Sequence, residues 1–249
     1  MTTGLRVATW NVRNGWAFDG WDSWPFRRRA ARTTLTALDA DVIGLQEAHG
    51  WQLRSLRRAL PEHVAVGEGR DGDGRGERCA ILVGPALRVV RHRTLWFSAT
   101  PEVPGSRLPG ATHPRVATLA ELEVRGRGDR VGVVAVHLDQ RHEANRLQSV
   151  ALLLGWLVEA LPWVVLGDLN ARPGSPTLRR LDAGGLASAL PEGDDGTFNG
   201  FTGRTDGPRI DHVLVRGPWE VAGAQILHSR PGGRLPSDHW PVVADLRLF

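Results

Sequence analysis

The stretch Val164-Val165-Leu166-Gly167-Asp168-Leu169-Asn170-Ala171-Arg172-Pro173 constrains the fold of this chain more than any other. Three apolar residues in a row read as a strand covered on both faces. Gly167 breaks the run, and Asp168 and Asn170 follow. Positions i and i+2 of an extended chain share a face, so the spacing predicts a carboxylate and a carboxamide side by side at a buried strand's end. An acid in that place costs several kcal/mol unless a metal, a cation or hydrogen-bond donors compensate it. A turn of the Asx type, closed by Pro173, is the plainer reading of the same residues.

The device recurs along the chain. Residues 5–10 alternate as a strand and deliver Asn11. The apolar run 42–45 ends in Gln46-Glu47, and a strand over 79–83 has Glu77 at its start. Residues 131–136 end in His137-Leu138-Asp139, and residues 210–215 carry Asp211 near their beginning. Asp238-His239 precedes a closing strand at 242–246, while residues 87–97 and 115–124 are also strand-like. One polar strand end is routine; six or seven spread over the whole length predict that strand ends converge on one mouth.

Between these strands the period changes to that of helices. Ser23-Trp24-Pro25 reads as a helix start, with Ala31, Leu35 and Leu38 as its inward stripe and Arg27, Arg28, Arg29 and Arg32 on a solvated face. Leu53, Leu56 and Leu60 predict a second helix stopped by Pro61, and the apolar steps from Glu143 to Leu161 a third stopped by Pro162. A short helix is expected over 177–181. The Gly/Asp-rich segment 67–77 lacks a calcium loop's twelfth-position Glu and flanking helices, and reads as a hairpin connection between 64–66 and 79–83. Trp16, Phe18, Trp21 and Trp24 sit in a loop-like segment and are expected to pack onto the core. The Pro/Gly-rich segment 98–114 is long for a compact domain, and such loops are often functional.

The length, 249 residues, suits one domain over 1–249, and neither a composition break nor a repeat divides it. The formal net charge is +4 and every one of the 31 basic residues is Arg, which permits a polyanionic partner without demanding one. The single cysteine, Cys79, lies in an apolar run and reads as a small buried hydrophobe. The N-terminus lacks a signal-peptide pattern, and no run approaches the ~18 apolar residues of a membrane span. A cytoplasmic protein without an obligate protein partner is expected.

Six motifs, in chain order, resemble those of the endonuclease/exonuclease/phosphatase superfamily, which includes pancreatic deoxyribonuclease: Thr9-Trp10-Asn11, Leu45-Gln46-Glu47, Val136-His137-Leu138, Gly167-Asp168-Leu169-Asn170, Ile210-Asp211-His212 and Ser237-Asp238-His239. The segments around 69–72 and 96–106 resemble a generic bacterial branch of it. The resemblance implies a four-layer α/β sandwich, two mixed sheets face to face with helices outside. It also implies phosphoester hydrolysis with a divalent metal. Glu47 would be the principal metal ligand, helped by Asn11 and Asp238. Asp168 and Asn170 would orient or deprotonate the attacking water and hold the phosphate. His239 would contact a phosphate oxygen with Asp211 fixing its ring; Glu77 stands where nucleases of this group place the carboxylate that orients the residue at His137. Arg115, at a strand start beside the long loop, is a candidate phosphate ligand.

The chemistry of the residue types agrees with this. Acid and amide oxygens without a thiolate suit Mg²⁺ or Mn²⁺ rather than zinc. A phosphodiester resists attack by water, so catalysis needs a cation, an oriented nucleophile and donors aimed at the phosphoryl oxygens. Each residue also has a structural reading: Asn11 as a turn cap, Glu47 in a salt bridge, His137 as a satisfied core histidine. Asp139 and Arg146 are expected to be structural, and His49, His142 and His212 lie outside the site. The expected substrate is a phosphodiester of DNA or RNA. A small phosphorylated metabolite or lipid head group is the alternative, and a non-catalytic binding module the third reading.

Overall fold

The computed structural model describes residues 3–193 and 195–249. One sheet contains β1 (Thr3–Asn11), β2 (Val42–His49), β3 (Val64–Val66), β4 (Glu77–Val83), β11 (Trp219–Ile226) and β12 (Val242–Leu248), in the order β11-β12-β1-β2-β4-β3. The other contains β5 (Leu87–Trp96), β6 (Val116–Val124), β7 (Arg130–His137), β8 (Trp163–Asp168), β9 (Ala187–Ser188) and β10 (Asp211–Arg216), in the order β5-β6-β7-β8-β10-β9. Each sheet is mixed: β1 and β2 run parallel, as do β7 and β8, and every other pairing is antiparallel.

Period-two alternation builds the layers. Leu5 and Val7 of β1, Ile81 and Val83 of β4, Val131 and Val133 of β7, and Val164 and Leu166 of β8 form one core between the sheets. The intervening residues face outwards beneath helices. Trp10, Ile43 and Leu82 are covered with help from α1 (Trp24–Ala37) and α2 (Gly50–Arg57); Val134, Val136 and Val165 are covered by α3 (Glu143–Trp156) and α4 (Pro176–Ala183). The result is the four-layer α/β sandwich that the resemblance implied. Gly44 marks a close approach of the sheets, since a Cβ there would lie 2.7 Å from Leu166 Cβ.

Several details depart from the sequence reading. The β11 and β9 strands were not anticipated; β11 is an edge strand of alternating intermediate and exposed residues. The α3 helix stops at Trp156 although its leucines continue to Leu161. Leu157 turns to extended geometry, and its carbonyl and that of Val158 accept from Arg216 and from the Trp163 indole, each at 2.8 Å. Arg27 is not on a solvated face but fully buried. Trp24 packs inwards as expected, whereas Trp16, Phe18 and Trp21 stand 71%, 94% and 76% exposed. No helix among the described residues is long and apolar enough to cross a membrane.

Candidate active site

The inter-sheet space opens at one end, and the alternation that fills it with apolar residues delivers polar ones at its mouth. Asn11 continues the inward series Leu5-Val7-Thr9 of β1, and Glu77 begins the series Cys79-Ile81-Val83 of β4. His137 ends Val131-Val133-Ala135 on β7, and Asp168 ends Val164-Leu166 on β8. The β10 strand runs opposite to β8, so Asp211 at its start meets the end of β8. In register His137 lies beside Asp168, and Asp168 beside Asp211. Simple alternation would not deliver Glu47. A bulge between Leu45 and Ala48, with Glu47 at φ 63°, turns its carboxylate into the mouth. Left-handed geometry in a residue with a side chain costs about 1–3 kcal/mol, and its neighbours must fix it.

One amide joins the two sheets: Asn11 Nδ2 donates to Glu47 Oε1 at 2.9 Å and to Asp168 Oδ2 at 3.0 Å. The same Asp168 oxygen lies 3.5 Å from His137 Nε2 and 3.9 Å from His239 Nε2. His239 Nδ1 is hydrogen-bonded to Asp211 Oδ2 at 2.8 Å. On the other side Asn14 donates its backbone N–H to Glu47 Oε2 and its amide to Glu77 Oε1, both at 2.7 Å. Glu77 also pairs with Arg70. Ser237 Oγ donates to the Asn11 carbonyl at 2.7 Å and lies 3.2 Å from Asp238 Oδ1, while Arg13 Nε is 3.7 Å from Asp238 Oδ2. Five carboxylates, from Glu47, Glu77, Asp168, Asp211 and Asp238, thus share one network.

Their electrostatics follow from crowding and burial. Burial, followed by the Asp211 charge, pushes Asp168 up to about 7 against the pull of His239. Burial raises Asp238 and Glu77 as well, and Glu47 adds to both. The two histidines diverge. Burial, Arg115 and Arg70 hold His137 well below the ordinary imidazole value, so it is neutral at pH 7. Burial also acts to lower His239, but the charge and hydrogen bond of Asp211 outweigh it and His239 stays protonated. One imidazole is a charged donor and the other a neutral one.

Asn11, Glu47, Glu77, His137, Asp168, Asp211, Asp238 and His239 are therefore together. Asn170 joins them differently from the i, i+2 expectation: β8 ends at Asp168 and Asn170 has φ 49°. Its N–H caps Asp168 Oδ1 at 3.0 Å and its amide donates to the Leu138 carbonyl at 3.1 Å, so the Asx turn and the buried acid are both present. Glu77 does not orient His137; the Arg70 guanidinium and Asn14 hold it instead. Arg115 is half-buried, and its charge acts on Glu77 and His137. Asp139 caps the start of α3 by accepting from Arg141 N, His142 N and Asn145 Nδ2, and Arg146 binds its carbonyl; both are structural here. Sequence reading missed Asn14, Arg13, Arg70 and Arg27. Asn14 carried a signal, an Asn-Gly turn directly beyond the Asn11 strand.

Oxygen-rich carboxylate crowding of this kind fits a hard divalent cation. Asp168, Asp211 and His239 also place one ligand atom each within 4.8 Å of one another. There the protonated His239 donates its Nδ1–H to Asp211, so that nitrogen is already occupied. Asn11 Oδ1 already accepts from Arg13 N at 2.9 Å, so this amide acts first as the link between Glu47 and Asp168.

A model of the Endonuclease/Exonuclease/phosphatase family matches residues 8–239. No curated protein matches the chain by sequence. Among solved structures, an endonuclease/exonuclease/phosphatase family protein from Bacteroides thetaiotaomicron is similar at 28% identity and TM-score 0.92, covering 100% of this chain and 99% of that one. A mannosyl-6-phosphatase of the same organism is similar at 28% identity and TM-score 0.89, over 97% of this chain and 99% of that one. The human Nocturnin catalytic domain, at 19% identity and TM-score 0.75 over 98% and 94%, shares the fold. The family consists of hydrolytic phosphoesterases and is generally dependent on divalent metals. This chain belongs to the endonuclease/exonuclease/phosphatase family.

Proposed function

We propose that the chain hydrolyses phosphodiester bonds of a nucleic-acid strand by in-line attack of water, with help from Mg²⁺ or Mn²⁺. The observation that carries this reading is the single amide of Asn11 holding Glu47 and Asp168 together, with the protonated His239 3.9 Å from the same Asp168 oxygen. Glu47 and Asp238 would hold the cation, which when bound neutralises charge that builds on the phosphoryl group and the leaving oxygen. Asp168, pushed up to about 7, is poised to take a proton from water at neutral pH. Asn170 fixes that carboxylate through its N–H. His239 donates from Nε2 to a phosphoryl oxygen, because Asp211 occupies Nδ1 and keeps the ring charged. His137 offers a neutral hydrogen bond beside it. Arg115, which enters no ion pair among the described residues and whose charge acts on Glu77 and His137, favours an anionic ester at the pit.

Hydrolysis of a small phosphomonoester is a second reading, favoured by the similarity to a mannosyl-6-phosphatase over 97% of this chain. A panel of single-stranded DNA, duplex DNA, RNA, mannose 6-phosphate and bis(p-nitrophenyl) phosphate, with Mg²⁺ and with a chelator, separates them. Turnover of polynucleotides that falls steeply with added salt supports the diesterase reading. Turnover of mannose 6-phosphate alone replaces it with the second. Metal-dependent hydrolysis of none of them overturns both.

A further inference from the structure

We propose that the cleft between the start of α1 and α2 binds single-stranded nucleic acid and extends the substrate path out of the acidic pit; this rests on the diesterase reading of that pit. The cleft has a volume of about 590 Å³, and its lining combines Trp16, Trp51 and four arginines, Arg28, Arg32, Arg54 and Arg58, with no carboxylate. Arg32 is held by the Ser55 carbonyl and hydroxyl at 2.9 and 2.8 Å. Arg28, Arg54 and Arg58 are exposed and enter no ion pair among the described residues. Arg6 pairs with Asp245 and Arg88 with Glu123, whereas no acid lines this cleft and four guanidiniums converge on it. Guanidiniums gathered without acids repel one another and are relieved by an anion carrying several charges.

The aromatic residues restrict what that anion is. Trp16 is 71% exposed and meets Trp51 edge-on, with ring centroids 5.2 Å apart and planes at 68°. Trp51 in turn meets Trp24 at 6.1 Å and 78°. Trp16 is thereby braced from one side and presents an open face. Exposed rings beside unpaired guanidiniums are the combination on which single-stranded bases stack and phosphates pair. A duplex hides its base faces, and a sugar phosphate has no aromatic base to stack and too little charge for four guanidiniums. The cleft also joins the pit: Trp16 N donates to Asn14 Oδ1 at 2.8 Å, and Asn14 contacts both Glu47 and Glu77. Trp16 stands two residues along the chain from Asn14, so a strand with its scissile phosphate in the pit is directed towards this cleft.

The test measures binding of a labelled short oligothymidylate by fluorescence polarisation in chelator, over a range of salt, together with Mg²⁺-dependent hydrolysis of bis(p-nitrophenyl) phosphate. The full chain is compared with the double variant Arg54→Ala/Arg58→Ala and with Trp16→Ala. The double variant is expected to bind more weakly and to reduce the slope of log affinity against log salt by about 1.4, two phosphate contacts on a single strand. Trp16→Ala is expected to weaken binding roughly tenfold or more without changing that slope. Hydrolysis of the small diester is expected to stay within about twofold in both. If the small diester is cleaved but oligothymidylate binds all three proteins equally, the cleft assignment is overturned and the pit reading stands. If neither the small diester nor a polynucleotide is cleaved while the binding differences appear, the pit reading falls and the cleft remains a nucleic-acid site. Sedimentation with phosphatidylserine vesicles that is lost in the variants, alongside unchanged oligothymidylate binding, also overturns the proposal, in favour of a membrane surface.

Discussion

Replacement of Arg27 should be among the most damaging single changes in this protein, although its side chain touches no substrate. The guanidinium is fully buried and donates to three carbonyls: Val12 at 2.8 Å, Pro236 at 2.9 Å and Arg13 at 2.9 Å. Burial lowers its pKa to about 10, with Asp238 and Asp19 acting in the opposite direction. The rings of Trp24 and Phe201 lie 5.0 and 5.8 Å from its Cζ. Arg27→Met keeps the apolar stem but leaves the Val12 and Pro236 carbonyls without their donor and the Arg13 carbonyl with Gln52 alone, each of the first two losses costing about 1–3 kcal/mol. Relief of the desolvation of a buried cation returns part of that sum, so the net destabilisation is about 2–4 kcal/mol. Arg27→Lys retains a charge but not the planar fork that spans three acceptors, and should fall between wild type and Arg27→Met. Urea unfolding followed by tryptophan fluorescence measures both, as a fall in the midpoint at unchanged m-value. The three carbonyls belong to the segments that carry Asn11, Asn14 and Asp238, so turnover at temperatures where the variant is folded should drop as well. A loss below about 1 kcal/mol for Arg27→Met would refute the reasoning that this cation ties the two segments together.

Asp168→Asn, nearly isosteric, should reduce hydrolysis at least ~10²-fold with little change in the unfolding midpoint; near-normal turnover removes Asp168 from the chemistry. Asp211→Asn takes away the partner that keeps His239 charged. In an NMR titration of the metal-free protein the His239 ring should then lose its proton at lower pH than in wild type, and an unchanged titration contradicts that role. Asp139 is pulled down to about 2, because Asn145 and the N–H groups of His142 and Arg141 outweigh its burial. Its folded-state value lies below the unfolded one near ~3.9. Its contribution to stability is therefore complete above that value and disappears as pH falls towards about 2. Asp139→Asn should flatten the loss of stability in that window, and an identical acid-unfolding curve contradicts the capping role.

Much of the fold and most of the pit could be read from the chain, because both depend on one period. Val164-Leu166-Asp168 and Val131-Val133-Ala135-His137 carry an apolar series straight into a polar residue, which places that residue at the open end of the layer it was filling. Glu47 was identifiable by motif but not by geometry, since the bulge that turns it inwards leaves no mark in the alternation. Arg27 shows how residue type can mislead where spacing does not. It lies four and eight positions before Ala31 and Leu35, on the very stripe that faces inwards, yet arginine argues for solvent. Trp16, Phe18 and Trp21 mislead in the opposite sense, as rings expected in the core that lie on the surface. The end of α3 was not legible because the groups that take the Leu157 and Val158 carbonyls, Arg216 and Trp163, arrive from elsewhere in the chain. The partner of Glu77 was hidden for the same reason: Arg70 reaches it across a loop whose residue pattern suggested only a hairpin connection.

The central claim is that acids from separate strand ends share one pit that holds a hard cation. Mn²⁺ titration followed by electron paramagnetic resonance, with the ion located by anomalous scattering in crystals, addresses it most directly. A bound ion is expected at the Glu47 and Asp238 carboxylates, with affinity reduced at least ~10-fold in Glu47→Gln and in Asp238→Asn. An ion found only at Asp168, Asp211 and His239, or affinity unaltered in both variants, would contradict it.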